Sequence, residues 1–215
     1  LMEYVKVDEE NGMLKIRFTA KDSKKGININ GRHKTEVHVS APAIHTFRAS
    51  SSGGIILKNG LQAKGKVNMK SSSSGDIEGG NVVCDALVTE ASSSGDVNLI
   101  KVECTSLEVK SSSSGDVLIK ELRAESVDAE ASSSGDVKLA GVCRSAQFSA
   151  SSSGDVEAKN LKADAVKANA SSAGDITCYV VETLDATTSS TGSVNYKGTP
   201  KYIDYHPKKG LNKID

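Results

Sequence analysis

The segment Ser113-Ser114-Gly115-Asp116-Val117 decides the fold, because it recurs along most of the chain. Near-identical copies end in Val or Ile, and degenerate copies extend the series at both ends. The glycines of successive copies are separated by 22, 20, 20, 20, 19, 20 and 18 residues. They are Gly53, Gly75, Gly95, Gly115, Gly135, Gly154, Gly174 and Gly192. A period of about 20 residues is typical of solenoids, in which each repeat forms one coil stacked on the next.

Between these segments, apolar residues alternate with polar ones, as in Leu107-Glu108-Val109-Lys110-Ser111. Period-two alternation puts one set of side chains on one face of a strand. At 3.3 Å per residue, about 20 residues trace roughly 65 Å, enough for one coil of two or three short strands. We therefore predict an all-β parallel solenoid with a narrow aliphatic core. The predicted inward columns include Val67, Leu87, Val127, Val166; Met69, Val109, Ala129, Phe148, Ala168; Ser71, Ala91, Ala131, Ala150, Ala170; and Val82, Val102, Leu122, Val142, Leu161, Val181.

The even positions of the repeat are predicted to face outward. One such column reads Lys70, Glu90, Lys110 and Glu130. Neighbouring strands of a sheet lie about 4.8 Å apart, so side chains of alternating sign in one column attract each other. The charge pattern therefore favours direct stacking of successive repeats.

The repeated Ser-Gly-Asp element is predicted to turn the chain at a corner of each coil. Glycine allows a positive φ, and Asp and Ser side chains hydrogen-bond local backbone amides. The structural turn glycines would be Gly75, Gly95, Gly115, Gly135, Gly154, Gly174 and Gly192. The serines before them fall in the inward set, where their hydroxyl groups would form a hydrogen-bonded ladder. These serines are Ser73, Ser93, Ser113, Ser133, Ser152 and Ser172.

The ends of the chain depart from the repeat. A hairpin is predicted from Tyr4 to Phe18 around Asn11-Gly12, followed by a loop at 21–25 and strands over 27–39. Pro42 marks the entry to the first rung, and the segment from Tyr196 onward leaves the period and caps the open end. We expect one elongated domain over 1–215, with N-terminal strands at 1–47, coils at 48–195 and a cap at 196–215.

Composition excludes several classes of protein. The 27 basic and 27 acidic residues balance, so nothing favours binding to nucleic acid. No apolar run reaches 18 residues, which argues against a membrane span.

The four cysteines lack the spacing of zinc ligands; they are Cys84, Cys104, Cys143 and Cys178. Buried free thiols are favoured over a disulfide bond between Cys84 and Cys104. No Gly-x-Ser-x-Gly motif is present, which disfavours a serine hydrolase. We expect no catalytic residues and no cofactor.

Two groups of residues are candidate binding sites. The aspartates of the repeat form a column whose charges repel, so that either a bound calcium ion or local backbone amides must compensate them. These weak metal candidates are Asp76, Asp96, Asp116, Asp136, Asp155 and Asp175. The β-roll spacing for calcium is absent, which favours the amides and no metal. The second group is Tyr196, Tyr202 and Tyr205, which would form a surface binding patch or cap the hydrophobic end.

The sequence also resembles a known family. The segments that carry the resemblance are Gly26-Ile27-Asn28, the stretch 36–42, the serial Ser-Gly-Asp turns and the closing Tyr196-Lys197-Gly198-Thr199-Pro200. Over nearly the whole chain they resemble the auto-transporter adhesin, head GIN domain family of secreted bacterial proteins, common in Bacteroidetes. The resemblance implies a pectate-lyase-like, right-handed parallel β-helix with Ser-Gly turns, and a role in cell adhesion as an oligomer, a trimer or dimer. It also implies an extracytoplasmic location, although the chain begins at Leu1 without a signal segment.

Three functions are consistent with these patterns. The favoured one is a noncatalytic adhesion or recognition protein that presents a repetitive surface to a glycan or protein on a host or cell surface. The second is a β-helix enzyme that acts on polysaccharides, although Arg123 and Arg144 are the only arginines between residues 51 and 195. The third is a purely structural or oligomerisation module.

Overall fold

The computed structural model describes residues 4–19, 35–41, 43–206 and 209–215. Contacts group the chain into two compact units, Leu1–Pro42 and Ala43–Asp215. The single-domain organisation stays a prediction. The predicted loop at 21–25, residues 27–34 of the predicted N-terminal strands and Pro42 lie outside the described residues.

The described residues form strands joined by turns. The strands are β1 Val5–Glu10, β2 Met13–Phe18, β3 Thr46–Ala49, β4 Ile55–Leu57, β5 Leu61–Gln62, β6 Lys66–Ser72, β7 Ile77–Val83, β8 Ala86–Ser92, β9 Val97–Glu103, β10 Ser106–Ser112, β11 Val117–Ala131, β12 Val137–Ala150, β13 Val156–Ala170, β14 Asp175–Thr188, β15 Ser193–Gly198, β16 Tyr202–His206 and β17 Leu211–Lys213.

In the first unit, β1 and β2 form the predicted antiparallel hairpin. Asn11 and Gly12 both adopt positive φ, as a two-residue turn of this kind requires. Arg17 and Lys15 pair with Asp8 and Glu10 across one face of the hairpin. Residues 35–39, the described part of the segment predicted to continue as strands, contain no strand.

The second unit is the predicted parallel β-solenoid, in which each coil has two faces. Face A comprises β3, β6, β8, β10, the later halves of β11–β14, and β16. Face B comprises β4, β5, β7, β9, the first halves of β11–β14, β15 and β17. The serine corner, such as residues 113–116, leads from face A to face B. The variable corner, at 84–85, 104–105, 124–125, 143–144 and 163–164, leads back to face A.

The core lies between the two faces and is filled mainly by aliphatic side chains. The predicted inward columns from Val67 to Val166, Met69 to Ala168 and Ser71 to Ala170 are all buried. Phe148 is the largest fully buried side chain. Because each inward residue packs against its equivalents in adjacent coils, the repeat buries apolar surface continuously along the stack.

The glycine of the serine corner serves a purpose that the sequence interpretation assigned wrongly. Gly115 and its equivalents lack positive φ, so conformational freedom does not explain them. A Cβ on Gly115 would lie 2.4 Å from the amide nitrogen of Ser92 and 2.7 Å from the carbonyl oxygen of Gly95. Glycine is therefore required because backbones of adjacent coils approach closely at this corner.

The serines of the corner were also placed wrongly by the alternation. Ser73 and Ser113 are exposed, and they adopt the left-handed φ that had been assigned to glycine. The buried serines are Ser71 and Ser111, whose hydroxyl groups donate to the carbonyl oxygens of Gly75 and Gly115. The predicted ladder of inward hydroxyl groups is therefore absent, and hydroxyl groups bond instead within the two corners at 71–75 and 111–115. The other corner serines that were predicted to face inward are also exposed, namely Ser93, Ser133, Ser152 and Ser172.

Irregularities in the β-ladder also correct the predicted inward column that contained Val142 and Val181. Leu122 pairs with Gly141, after a register shift between Ile119 and Leu122, and Val142 is 42% exposed. Gly141 has a φ of 132°, and a Cβ there would lie 2.1 Å from the carbonyl oxygen of Leu122. Farther along the stack, Val180 is buried and Val181 only half-buried. In the coils with shortened spacing, the missing residues are thus lost from face B.

The segment after Tyr196 continues the coils, and its role as a cap of the open end stays a prediction. β16 pairs with β14 on face A, and β17 pairs with β15 on face B, both in parallel. Tyr205 and Leu211 pack against the core. The segment therefore adds a further coil to the stack.

Candidate binding surface

The aspartates of the serine corner are held in a hydrogen-bonded column. The Oδ1 atom of Asp116 accepts a hydrogen bond from the backbone N–H of Asp136, with a nitrogen-to-oxygen distance of 2.9 Å. The same hydrogen bond recurs between the other adjacent coils, with distances of 2.8 to 3.2 Å. At the end of the series, Oδ1 of Asp175 accepts hydrogen bonds from the backbone N–H and the hydroxyl group of Ser193. Backbone amides therefore face each carboxylate, as the amide interpretation requires. The column comprises Asp76, Asp96, Asp116, Asp136, Asp155 and Asp175.

The pKa of Asp136 shows how burial and neighbouring charges act on the carboxylates of this column. Burial raises the pKa of this carboxyl group, the hydrogen bond from Asp155 opposes the rise, and the charges of Asp116 and Asp155 add to it. Across the described ranges, no group of three or more His, Cys, Asp or Glu side chains is arranged to hold a metal ion. The column is thus a repeated structural contact, and calcium binding by it stays an untested hypothesis.

The three candidate tyrosines do not share one surface. Tyr196 on face B and Tyr205 on face A are half-buried and pack against the core. The Tyr205 hydroxyl group donates to the carbonyl oxygen of Lys209 and lies 3.1 Å from the hydroxyl of Thr188. Tyr202 is 73% exposed on face A. Only Tyr202 is thus presented fully to solvent, and a binding role for these residues stays a prediction.

The outward surface of face A carries the predicted charge column. Lys70 and Glu90 form an ion pair with a nitrogen-to-oxygen distance of 2.6 Å, and Lys70 holds the pKa of Glu90 below its usual value. Lys110 instead pairs with Glu108 of its own strand, at 3.1 Å. Of these charged residues, Lys70 and Glu90 therefore form an ion pair between adjacent coils, whereas Lys110 is paired within its own strand.

The variable corner contains three of the four cysteines, all as free thiols. Cys84 and Cys143 are buried, and Cys104 is half-buried. Burial raises the pKa of the Cys104 and Cys143 thiols to about 12. Such thiols stay protonated near neutral pH and behave as small core side chains, as the sequence suggested. Cys178 is a free, buried thiol in the core of face B.

A groove of about 660 Å³ runs along the variable corner. The charged residues that line it are Glu103, Arg123, Glu125, Arg144, Lys162 and Asp164. Glu103 pairs with Lys101 at 2.8 Å, and Arg144 lies 3.8 Å from Glu125. The structure thus places Arg123 and Arg144, the only arginines between residues 51 and 195, along one groove.

One outward column of face B runs along the edge of this groove, and we call it the cation column. It is the part of the ladder formed by Arg123, Val142, Lys162, Tyr179 and Lys197, each paired in register with the next. In the coil before Arg123, the same ladder position is occupied by Glu103. Arg123, Val142 and Lys162 are exposed, and Tyr179 and Lys197 are half-exposed. The Lys197 ammonium group lies 5.7 Å from the centre of the Tyr179 ring. The sequence interpretation missed this column, because a fixed 20-residue count from Arg123 reaches Cys143 instead of Val142.

These features define a parallel β-solenoid whose serine corners hold the coils together and whose variable outward columns are displayed to solvent. The chain belongs to the family described as "Putative auto-transporter adhesin, head GIN domain", whose model matches residues 1–200. This match confirms the family that the sequence resembles. No match was found among curated proteins.

Two solved structures share the fold. One is a putative adhesin from Bacteroides fragilis NCTC 9343, 23% identical, with a TM-score of 0.50, over 99% of this chain and 75% of that protein. The other is a putative lipid binding protein from Parabacteroides distasonis ATCC 8503, 19% identical, with a TM-score of 0.53, over 100% of this chain and 80% of that protein. At these identities the similarity concerns the fold alone. In the part of the chain that the structure describes, no helix has the length and apolarity needed to cross a membrane.

Proposed function

We propose that this protein is a noncatalytic recognition module that works outside the cytoplasm, at the cell surface or after secretion, and adheres to a glycan or protein of a host or neighbouring cell. The observation that carries the proposal is the register of the variable outward columns. In the cation column, side chains of different chemistry are fixed at successive steps of a parallel sheet. The description of the family as an adhesin supports the same function.

The mechanism is multivalent contact along a rigid surface. Each step of a parallel sheet advances about 4.8 Å, so an extended polymer can touch several coils at once. Individual exposed contacts are weak, but contacts made by one molecule act with a high effective concentration. The hydrogen bonds between coils keep the outward side chains in place, which lowers the ordering cost of binding.

A screen of the folded protein against immobilised glycans and extracellular-matrix proteins tests the proposal. We expect saturable binding that is lost when the protein is heat-denatured before the screen. Polysaccharides that bind should keep their chain length during long incubation, as measured by size-exclusion chromatography. Depolymerisation would show that the protein is an enzyme, and the absence of any ligand for the folded protein would contradict the recognition function. Light scattering on the same sample tests the trimeric or dimeric assembly.

A further inference from the structure

The cation column alternates positive and apolar side chains along the stack. Arg123, Lys162 and Lys197 are separated by Val142 and Tyr179, each in the adjacent coil. One coil advances about 4.8 Å, so the cations recur about every 9.6 Å. The column therefore has a two-coil chemical period although the fold has a one-coil period.

The charges at the start of this column are available for a ligand. Among the described residues, Arg123 and Lys162 form no ion pair, whereas their neighbours Glu103 and Arg144 are paired with Lys101 and Glu125. Arg123 and Lys162 are also exposed. Glu103 lies beside Arg123 in the preceding coil, but its ion pair is with Lys101, so a ligand anion can reach Arg123 and Lys162 without displacing a carboxylate paired with them.

The apolar positions of the column suit the faces of sugars. Val142 is 42% exposed between Arg123 and Lys162, and Tyr179 lies one coil beyond Lys162. Apolar and aromatic side chains pack against the C–H face of a sugar ring, while Arg and Lys bind its carboxylate. Asp164 lies exposed in the adjoining groove, where its carboxylate is an acceptor for sugar hydroxyl groups.

From this alternation we infer that the cation column and the adjoining groove bind a linear anionic polysaccharide in which an acidic sugar alternates with a neutral one. The rise of one coil is close to the length of one sugar in an extended chain. The carboxylates of alternate sugars then meet Arg123, Lys162 and Lys197, and the neutral sugars lie over Val142 and Tyr179. This inference rests on the proposed recognition function and names the ligand class for one surface.

The test compares three polymers of different charge spacing. Hyaluronate has a glucuronate at every second sugar, polygalacturonate is acidic at every sugar, and dextran is neutral. With biolayer interferometry at low salt, we expect the order hyaluronate, then polygalacturonate, with no binding to dextran. Added salt should weaken hyaluronate binding, because its carboxylates are bound by exposed cations.

Substitutions then locate the site. The double variant Arg123→Gln/Lys162→Gln should lower hyaluronate affinity about tenfold, since it removes two exposed charge contacts worth a few-fold each. Tyr179→Ala should lower affinity without changing the salt dependence. The matched control is Lys167→Gln, because Lys167 is exposed and without an ion pair among the described residues, but lies on face A between Gln147 and Asp185. It should bind like the unaltered protein.

Three results would overturn the inference: no weakening in the double variant, equal weakening in Lys167→Gln, or equal affinity for polygalacturonate. Circular dichroism and the urea midpoint verify that each variant is folded. Failure with hyaluronate while the protein binds another component of the glycan and matrix screen rejects the inference and leaves the recognition function standing. Failure with every component rejects both.

Discussion

The two corners of each coil use their residues differently. At the serine corner the same residues recur, and their polar groups bond across coils, as between Asp116 and the amide of Asp136. At the variable corner the chemistry changes from coil to coil, from Thr105 to Glu125 to Arg144, and these side chains are directed to solvent around a groove. Repetition at the serine corner therefore reflects the demands of stacking. Outward positions that do not take part in stacking can vary, and these positions are available for recognition.

The largest expected effect comes from filling the serine corner. Gly115→Ala places a Cβ against the backbone of Ser92 and Gly95, which cannot move without separating two coils. We expect a loss of about 3 kcal/mol in the free energy of unfolding. The control is Gly80→Ala on face B, where a Cβ would meet nothing within 4 Å. A urea titration followed by circular dichroism should separate the two variants, and equal midpoints would contradict the close-approach explanation.

The next effect concerns the bond between adjacent corners. Asp116→Ala leaves the amide of Asp136 without its acceptor and should destabilise the fold by about 1–2 kcal/mol. Asp116→Asn keeps an oxygen acceptor at the same position and should lose much less. The comparison of urea midpoints decides between these outcomes. If the two substitutions destabilise equally, the hydrogen bond is not what makes this aspartate necessary.

A smaller effect is expected at the variable corner. Arg144 and Glu125 lie 3.8 Å apart, with side chains that are 78% and 66% exposed. Solvent screens such a pair, so Arg144→Gln should change the free energy of unfolding by less than about 0.5 kcal/mol. A loss comparable to that of Asp116→Ala would show that the variable corner also holds the coils together.

The smallest effect is a pH dependence at Asp136. Burial raises the pKa of this carboxyl group in the fold above its ordinary value of 3.8, so its favourable contribution is complete below pH 3.8 and is lost as pH rises through the folded pKa. Asp136→Asn should therefore unfold at a slightly higher urea concentration than the unaltered protein at pH 7. The difference should vanish below pH 3.8. A lower midpoint for Asp136→Asn at pH 7 would mean that the ionised carboxylate stabilises the corner.

The sequence predicts the solenoid and its core well, because stacking forces the same spacing on every coil. The columns that contain Leu107, Val109 and Ser111 were identified from alternation alone and are buried. The conformation of the serine corner was harder to predict from the sequence. Alternation cannot be counted through a turn, so the sequence placed Ser73 inward and gave glycine a positive φ, whereas Ser73 is exposed and itself adopts that φ.

The cation column could not be predicted by counting, because its members are separated by 19, 20, 17 and 18 residues. The ladder shifts register beside Gly141 and again between Ala158 and Lys162. The first shift turns Val142, which a strict period would bury, toward solvent, and Val181 beyond the second shift is only half-buried. Local irregularity in the backbone therefore determines which residues form the cation column.

In our proposal the serine corner stabilises the fold and the cation column binds the ligand. The hyaluronate affinity of two variants, Asp116→Ala and Arg123→Gln/Lys162→Gln, measured under conditions in which both are fully folded, separates these two roles. We predict that Asp116→Ala binds like the unaltered protein although it unfolds at lower urea, and that the double variant binds about tenfold more weakly with an unchanged midpoint. Loss of binding in Asp116→Ala, with full binding by the double variant, would contradict the proposal.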